Sequence, residues 1–283
     1  MINQYTASLG NGQYLIDLDG HLSSSYQSTA SFSDDLNLVR NEFSSSYSQL
    51  SSSAPRLISR ESNFSPNVDI IPNVIDNASI WIRDLKDRET DWVNFGLLDK
   101  SGSWTTASAS NYFPKLNQMI SNLPFKGIGR VFVIVSETGI STLTHQDHDQ
   151  NWRPEHIWID LTGNRKLYVA NQSDTLNWYL NGFDDNLLTK SYMTGSTCWF
   201  DPSKAHGVSA SARGLSAAIR IDGEYTTEFR QQIFNDSTWH TVNHFVSDVS
   251  LMSVSGGCQF PPFPPSGKYI DSYMTGSLTG SYY

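Results

Sequence analysis

Three observations predict a mainly β protein with flanking helices. Between Gly127 and Glu224 seven short runs rich in apolar and aromatic residues follow one another: "RVFVIV", "HIWIDL", "KLYVAN", "NWYL", "STCWF", "HGVSA" and "LSAAIRI". Turn residues rather than helical patterns separate them, with "TGN" at 162–164 and "NG" at 181–182 as tight-turn signals. The chain also carries eight Trp and thirteen Tyr, residues that suit the half-buried surface of a pleated sheet. Strands packed so densely along a chain close into a sandwich, a barrel or a double-stranded jelly roll.

The flanks read differently. Residues 21–55 are serine-rich, and Leu36, Leu38, Val39, Phe43 and Leu50 recur at loosely helical spacing, which predicts one or two helices between polar loops. From Asp69 to Phe95, short β-rich stretches surround a charged turn. "NYFPKLNQMISNLP" predicts a short helix: Phe113, Leu116, Met119, Ile120 and Leu123 share one face, and Pro124 ends it. After Tyr225, "TTEFRQQIFNDSTWHTVNHF" predicts a helix and an extended arm. The tail, rich in Pro, Gly, Ser and Tyr, predicts an extended strap or a disordered end. Three segments result: 1–110, mixed and partly helical, packed on the core; 111–225, the β core; and 226–283, a C-terminal extension, partly extended or disordered.

Composition excludes several function classes. A net charge of −9 leaves no basic block to neutralise phosphates, so no nucleic-acid partner is expected. No apolar run is long enough to span a bilayer, and no basic start leads into an apolar stretch, so a cytoplasmic location without a membrane partner is expected. Cys198 and Cys258 form no CxxC pair, which excludes a thiolate-based structural zinc site.

Chemistry concentrates in "LTHQDHDQNW", residues 143–152. In an extended chain, residues two apart point the same way, so His145 and Asp147 can grip one ion. His206, in "GSTCWFDPSKAHGV", is the best candidate for a third ligand. Two histidines and one carboxylate on one face of an octahedral ion leave three positions open, which is the ligand set of non-haem Fe(II) oxygenases. His148 lacks a carboxylate two residues on and reads as facing substrate or supporting the ligands, while His156 reads as a residue that packs or hydrogen-bonds.

"LTHQDHD", then "AHGV", then "SAAIRIDG" resembles the H-x-D…H…R pattern of the Fe(II)/2-oxoglutarate-dependent oxygenases. The lead-in "YFPKLNQMISNLPFKGIGRVFVIVSETGISTLTHQD" resembles the aspartyl/asparaginyl β-hydroxylase-like branch. The resemblance covers about residues 111–225 and implies a double-stranded β-helix core, jelly-roll and cupin-like. It implies Fe(II), 2-oxoglutarate and O2 as cofactor and co-substrates, and a dioxygenase that hydroxylates an unactivated C–H with release of succinate and CO2. His145, Asp147 and His206 are then the metal ligands and the catalytic centre. Retention of Asp147 favours hydroxylation over halogenation.

The same resemblance calls for a cation at the far carboxylate of 2-oxoglutarate, where the planar fork of an arginine matches two oxygens. Arg220 has a suitable spacing after His206, Arg213 is the alternative, and Arg153 is a candidate contact for co-substrate or substrate. Ser216 and Trp158 are candidates to line the same cavity. The acidic balance favours a neutral or cationic substrate, either an amino-acid-like small molecule or a peptide side chain. The rival expectation is a non-catalytic jelly-roll module that binds a metal or ligand, or a structural, virion-associated protein.

Overall fold

The computed structural model describes residues 14–59, 75, 77–85, 104–139, 141–145, 155–202, 204–210 and 214–234. Within them the fold is a double-stranded β-helix with flanking helices. The strands are β1 (Leu15–Asp17), β2 (Ile58–Ser59), β3 (Ala78–Leu85), β4 (Trp104–Thr106), β5 (Phe125–Ser136), β6 (Thr142–His145), β7 (His156–Asp160), β8 (Arg165–Ala170), β9 (Lys190–Tyr192), β10 (Thr197–Phe200), β11 (His206–Ala210) and β12 (Ser216–Tyr225). The helices are α1 (Asp19–Ser25), α2 (Phe32–Ser53), α3 (Pro114–Ser121), α4 (Gln172–Leu180) and α5 (Thr227–Phe234).

Every described strand pairing is antiparallel. The larger sheet runs β1-β10-β7-β12-β5-β3-β2 with β4 on β3; the smaller runs β6-β11-β8-β9. From β5 to β12 the chain crosses repeatedly between the two sheets, the winding that defines a jelly roll. Residues from the N-terminal part are woven into the same larger sheet: β1 pairs with β10 and β3 with β5.

Alternation along β12 shows how the layers divide. Ala217, Ile219, Ile221 and Tyr225 join the core under the helices, while Ala218 joins the core between the sheets. Ser216, Arg220 and Asp222 therefore face the interior as well. On the outer side, α2 buries Phe32, Leu36, Val39, Phe43, Tyr47 and Leu50, a stripe at helical spacing. Each such side chain contributes about 1.5–3 kcal/mol by leaving water. Leu38, counted in that pattern from the sequence, is 46% exposed. Ser31 caps the helix by accepting the Asp34 N–H.

One expected strand is a helix. "NWYL" ends α4, which Asn171 starts by accepting the Asp174 N–H. Thr175, Trp178 and Tyr179 are buried at i, i+3 and i+4, so the aromatics line a helical face rather than a pleated one. The "NG" at 181–182 is correspondingly the helix's C-terminal stop and not a hairpin turn, with Gly182 at φ 74. The helix expected after Tyr225 is α5, and residues 235–283, including the expected strap, lie outside the described residues.

A bulge sets up the site. β6 and β11 pair His145 with His206 and Thr142 with Val208, so three steps on one strand match two on the other. The extra residue turns Thr142 and His145 to the same side of the sheet, which strict alternation forbids.

Candidate metal and co-substrate site

His145 ends β6 and His206 begins β11, directly opposite one another in the register. Their ring centroids are 4.4 Å apart. The Nδ1–H of His145 donates to the Leu143 carbonyl at 2.8 Å, and that of His206 donates to the Lys204 carbonyl at 2.8 Å. A carbonyl only accepts, so each neutral ring carries its lone pair on Nε2, the arrangement in which a backbone partner orients a metal-binding imidazole.

The pair fits a shared cation. A ring nitrogen about 2.1 Å from a metal places the ring centre roughly 3.2 Å from it, so two cis ligands have centres about 4.6 Å apart. Asp147, the expected third ligand, lies outside the described residues, as do His148, Arg153 and Arg213. No group of three or more His, Cys, Asp or Glu that could hold a metal occurs among the described residues.

His206 is held from behind. It is 2% exposed and packs on Phe200, with ring centroids 4.7 Å apart. The turn before it contains a fully buried ion pair, Lys204 Nζ to Asp201 Oδ2 at 3.0 Å. His156 packs edge-on against Phe200, with ring centroids 4.5 Å apart.

Three buried arginines, Arg220, Arg165 and Arg130, face the interior. Arg220 lies directly across from Trp158 on β7; its Nε donates to Asp222 at 2.9 Å and its guanidinium sits over the Phe200 ring at 5.5 Å. Asp222 also accepts Arg130 Nε at 2.5 Å. The second, Arg165 on β8, is 0% exposed, and sequence reasoning missed it. Its Nη2 donates to Thr142 Oγ1 and Asn77 Oδ1, each at 2.8 Å, and its Nη1 donates to Ser216 Oγ at 3.3 Å. The available signal was the alternation Arg165, Leu167, Val169, whose two leucine and valine members join the core between the sheets.

Trp158 and Ser216 both face this interior. The indole N–H of Trp158, a residue 3% exposed, has no acceptor among the described residues. An unmet buried donor costs about 1–3 kcal/mol.

At Glu155 a clasp fixes the start of β7. Glu155 accepts Arg230 Nε at 2.5 Å, Arg230 Nη2 at 3.1 Å and the Tyr225 N–H at 2.7 Å. Burial pushes the Glu155 carboxyl up, against the pull of these donors, and the hydrogen bond to Glu155 pushes Arg230 up in turn.

The fold is that of a jelly roll, with two histidines facing each other at the end of its smaller sheet. No family model and no curated protein matches the chain. Among solved structures it resembles a prolyl hydroxylase from Trichoplax adhaerens in complex with a hypoxia inducible factor peptide, at 13% identity and TM-score 0.37, covering 81% of this chain and 91% of that one. It also resembles the α-ketoglutarate-dependent carbocyclase SnoK of nogalamycin biosynthesis, at 9% identity and TM-score 0.39, covering 76% and 87%. A third similar structure is a 2OG-Fe(II) oxygenase family oxidoreductase from Burkholderia pseudomallei, at 8% identity and TM-score 0.31, covering 56% and 73%. The likeness is one of architecture, at identities where activity does not carry over. No helix among the described residues is long and apolar enough to cross a membrane.

Proposed function

We propose that the protein is an Fe(II)- and 2-oxoglutarate-dependent dioxygenase that hydroxylates an unactivated C–H of an amino-acid-like small molecule or a peptide side chain. The observation that carries this reading is the opposed pair His145 and His206 at the end of a jelly roll, each with Nδ1 committed to a backbone carbonyl. His145, His206 and Asp147 hold the ion. With O2 and 2-oxoglutarate, the bound ion supplies oxidative decarboxylation to succinate and CO2, coupled to transfer of one oxygen atom into the C–H bond. The lead-in through α3 and β5 to "THQD" supports placement beside the aspartyl/asparaginyl β-hydroxylase-like branch.

Arg165 takes the role of anchoring the far carboxylate, for which spacing had favoured Arg220, with Arg213 as the alternative. Its guanidinium reaches Thr142, which pairs with Val208 two residues beyond His206. Two residues of strand span about 6.6 Å. A 2-oxoglutarate molecule, about 5 Å between its end carbons, bridges that interval. Thr142 and Ser216 hydroxyls add hydrogen bonds at the same carboxylate, and Arg153 remains a contact for co-substrate or substrate.

Anaerobic addition of Fe(II) and 2-oxoglutarate tests the reading. A weak visible charge-transfer band is expected, lost in His145→Ala and His206→Ala and requiring about 100-fold more 2-oxoglutarate in Arg165→Met. A wild-type protein that gives no band is a binding module or a structural protein instead.

A further inference from the structure

We propose that Trp158 and Arg220 form a second anion subsite in the same chamber, which receives a carboxylate of the primary substrate. The inference rests on the dioxygenase reading above and adds the substrate's chemical class to it.

Trp158 and Arg220 are register partners on β7 and β12 and project into the space between the sheets. Both lean on one ring: Trp158 meets Phe200 edge-on with centroids 6.4 Å apart, and the Arg220 guanidinium lies over the same ring at 5.5 Å. Phe200 in turn touches His206. The subsite is therefore next to the metal pair, on the opposite sheet.

The indole explains why a ligand belongs there. A phenylalanine would fill the same apolar space without enclosing an N–H that finds no acceptor among the described residues. Indole nitrogen only donates, so the missing partner is an acceptor. The positive charge of the Arg220 guanidinium, held on the neighbouring strand by Asp222, makes an anionic acceptor such as a carboxylate the best match for the indole N–H.

Distance separates this subsite from the one at Arg165. Ser216, which takes Arg165, and Arg220 stand four residues apart on β12. That rise is about 13 Å. One 2-oxoglutarate, about 5 Å long, does not reach both. The second anion therefore belongs to another molecule. The overall acidic balance, which favoured a neutral or cationic substrate, describes the whole chain rather than the chamber.

The test uses the full chain labelled with 15N at tryptophan, loaded with redox-silent Zn(II) and saturating 2-oxoglutarate. Isobutyrate is then titrated against its isosteric amide, isobutyramide, and the Trp158 indole resonance is assigned by its disappearance in Trp158→Phe. A saturable downfield shift with isobutyrate is expected, with at least fivefold weaker binding of the amide and about tenfold weaker binding of isobutyrate to Arg220→Gln. The charge-transfer band with Fe(II) should persist in Trp158→Phe. A Trp158 resonance that moves with 2-oxoglutarate alone and then ignores isobutyrate overturns the proposal in favour of a co-substrate contact. No response to either probe, or equal responses to acid and amide, also overturns it. Loss of the band in the wild type would instead sink the dioxygenase reading itself.

Discussion

Thr142 and His145 face the same side of their sheet although they stand three residues apart. The bulge between them lets one short strand place a hydroxyl on Arg165 and an imidazole against His206. Thr142→Val keeps the β-branched shape and replaces the hydroxyl, which bonds Arg165 and Asn77, with a methyl. On the proposed dioxygenase reading, the KM for 2-oxoglutarate should rise about tenfold while the Kd for Mn(II), measured by calorimetry, stays within about twofold. A change in metal affinity alone would show that the hydroxyl serves the ion and not the co-substrate.

Gly207 leaves room for a phenol. A Cβ there would lie 2.5 Å from Tyr168 Oη and 2.8 Å from its Cζ, with the Thr142 carbonyl at 3.0 Å. The Tyr168 hydroxyl is engaged with Thr144 at 2.7 Å, so it cannot withdraw without breaking that contact. Gly207→Ala should cost about 2 kcal/mol in urea unfolding. In a Tyr168→Leu background the same change should cost under about 0.5 kcal/mol, a coupling that a double-mutant cycle reads directly.

Asp201 and Lys204 hold the turn whose carbonyl orients His206. Asp201→Asn leaves a buried ammonium facing a neutral amide, so stability should fall by about 3 kcal/mol. Metal affinity should fall about tenfold as well, because the ring loses the support that fixes its tautomer. Unchanged Mn(II) binding in a folded variant would restrict the pair to a structural role.

Cys198 is fully buried between β1 and β7, and burial pushes its thiol well above the ordinary range, with Asp17, Asp19 and Asp160 adding to the shift. Thiolate is the reactive form, so a raised pKa keeps the group protonated at pH 8. Peptide mapping after iodoacetamide treatment should find Cys198 unmodified in the native protein and fully alkylated in 6 M guanidinium. Native-state alkylation would mean that β1 leaves its place on the sheet.

Most of the strand runs, and the two histidines as candidates, were legible because both rest on local pattern. Apolar runs between turns mark strands, and "THQDHD" concentrates ligand chemistry at the end of one. Arg165 was masked despite its alternation with Leu167 and Val169. It follows the "TGN" turn beside Lys166, so it reads as an exposed turn cation until the pairing of β8 with β11 turns it inward. α4 was misread for a related reason: Trp178 and Tyr179 carry strand propensity, but the Asn171 cap and the spacing from Thr175 decide for a helix. The bulge in β6 depends on the partner strand and leaves no mark in a single sequence.

The pairing of β1 with β10 has a further consequence. Leu15 lies opposite Phe200, and the Asp19 carboxylate accepts the Ser196 and Thr197 N–H groups. During translation, β1 must wait for a partner strand synthesised nearly two hundred residues later. Until that strand leaves the ribosome, β1 has no neighbour and the β10 edge does not exist, so the nascent chain exposes sticky apolar surface for seconds. Trigger-factor-type chaperones should therefore raise the soluble yield of the intact chain more than that of a variant lacking residues 1–18.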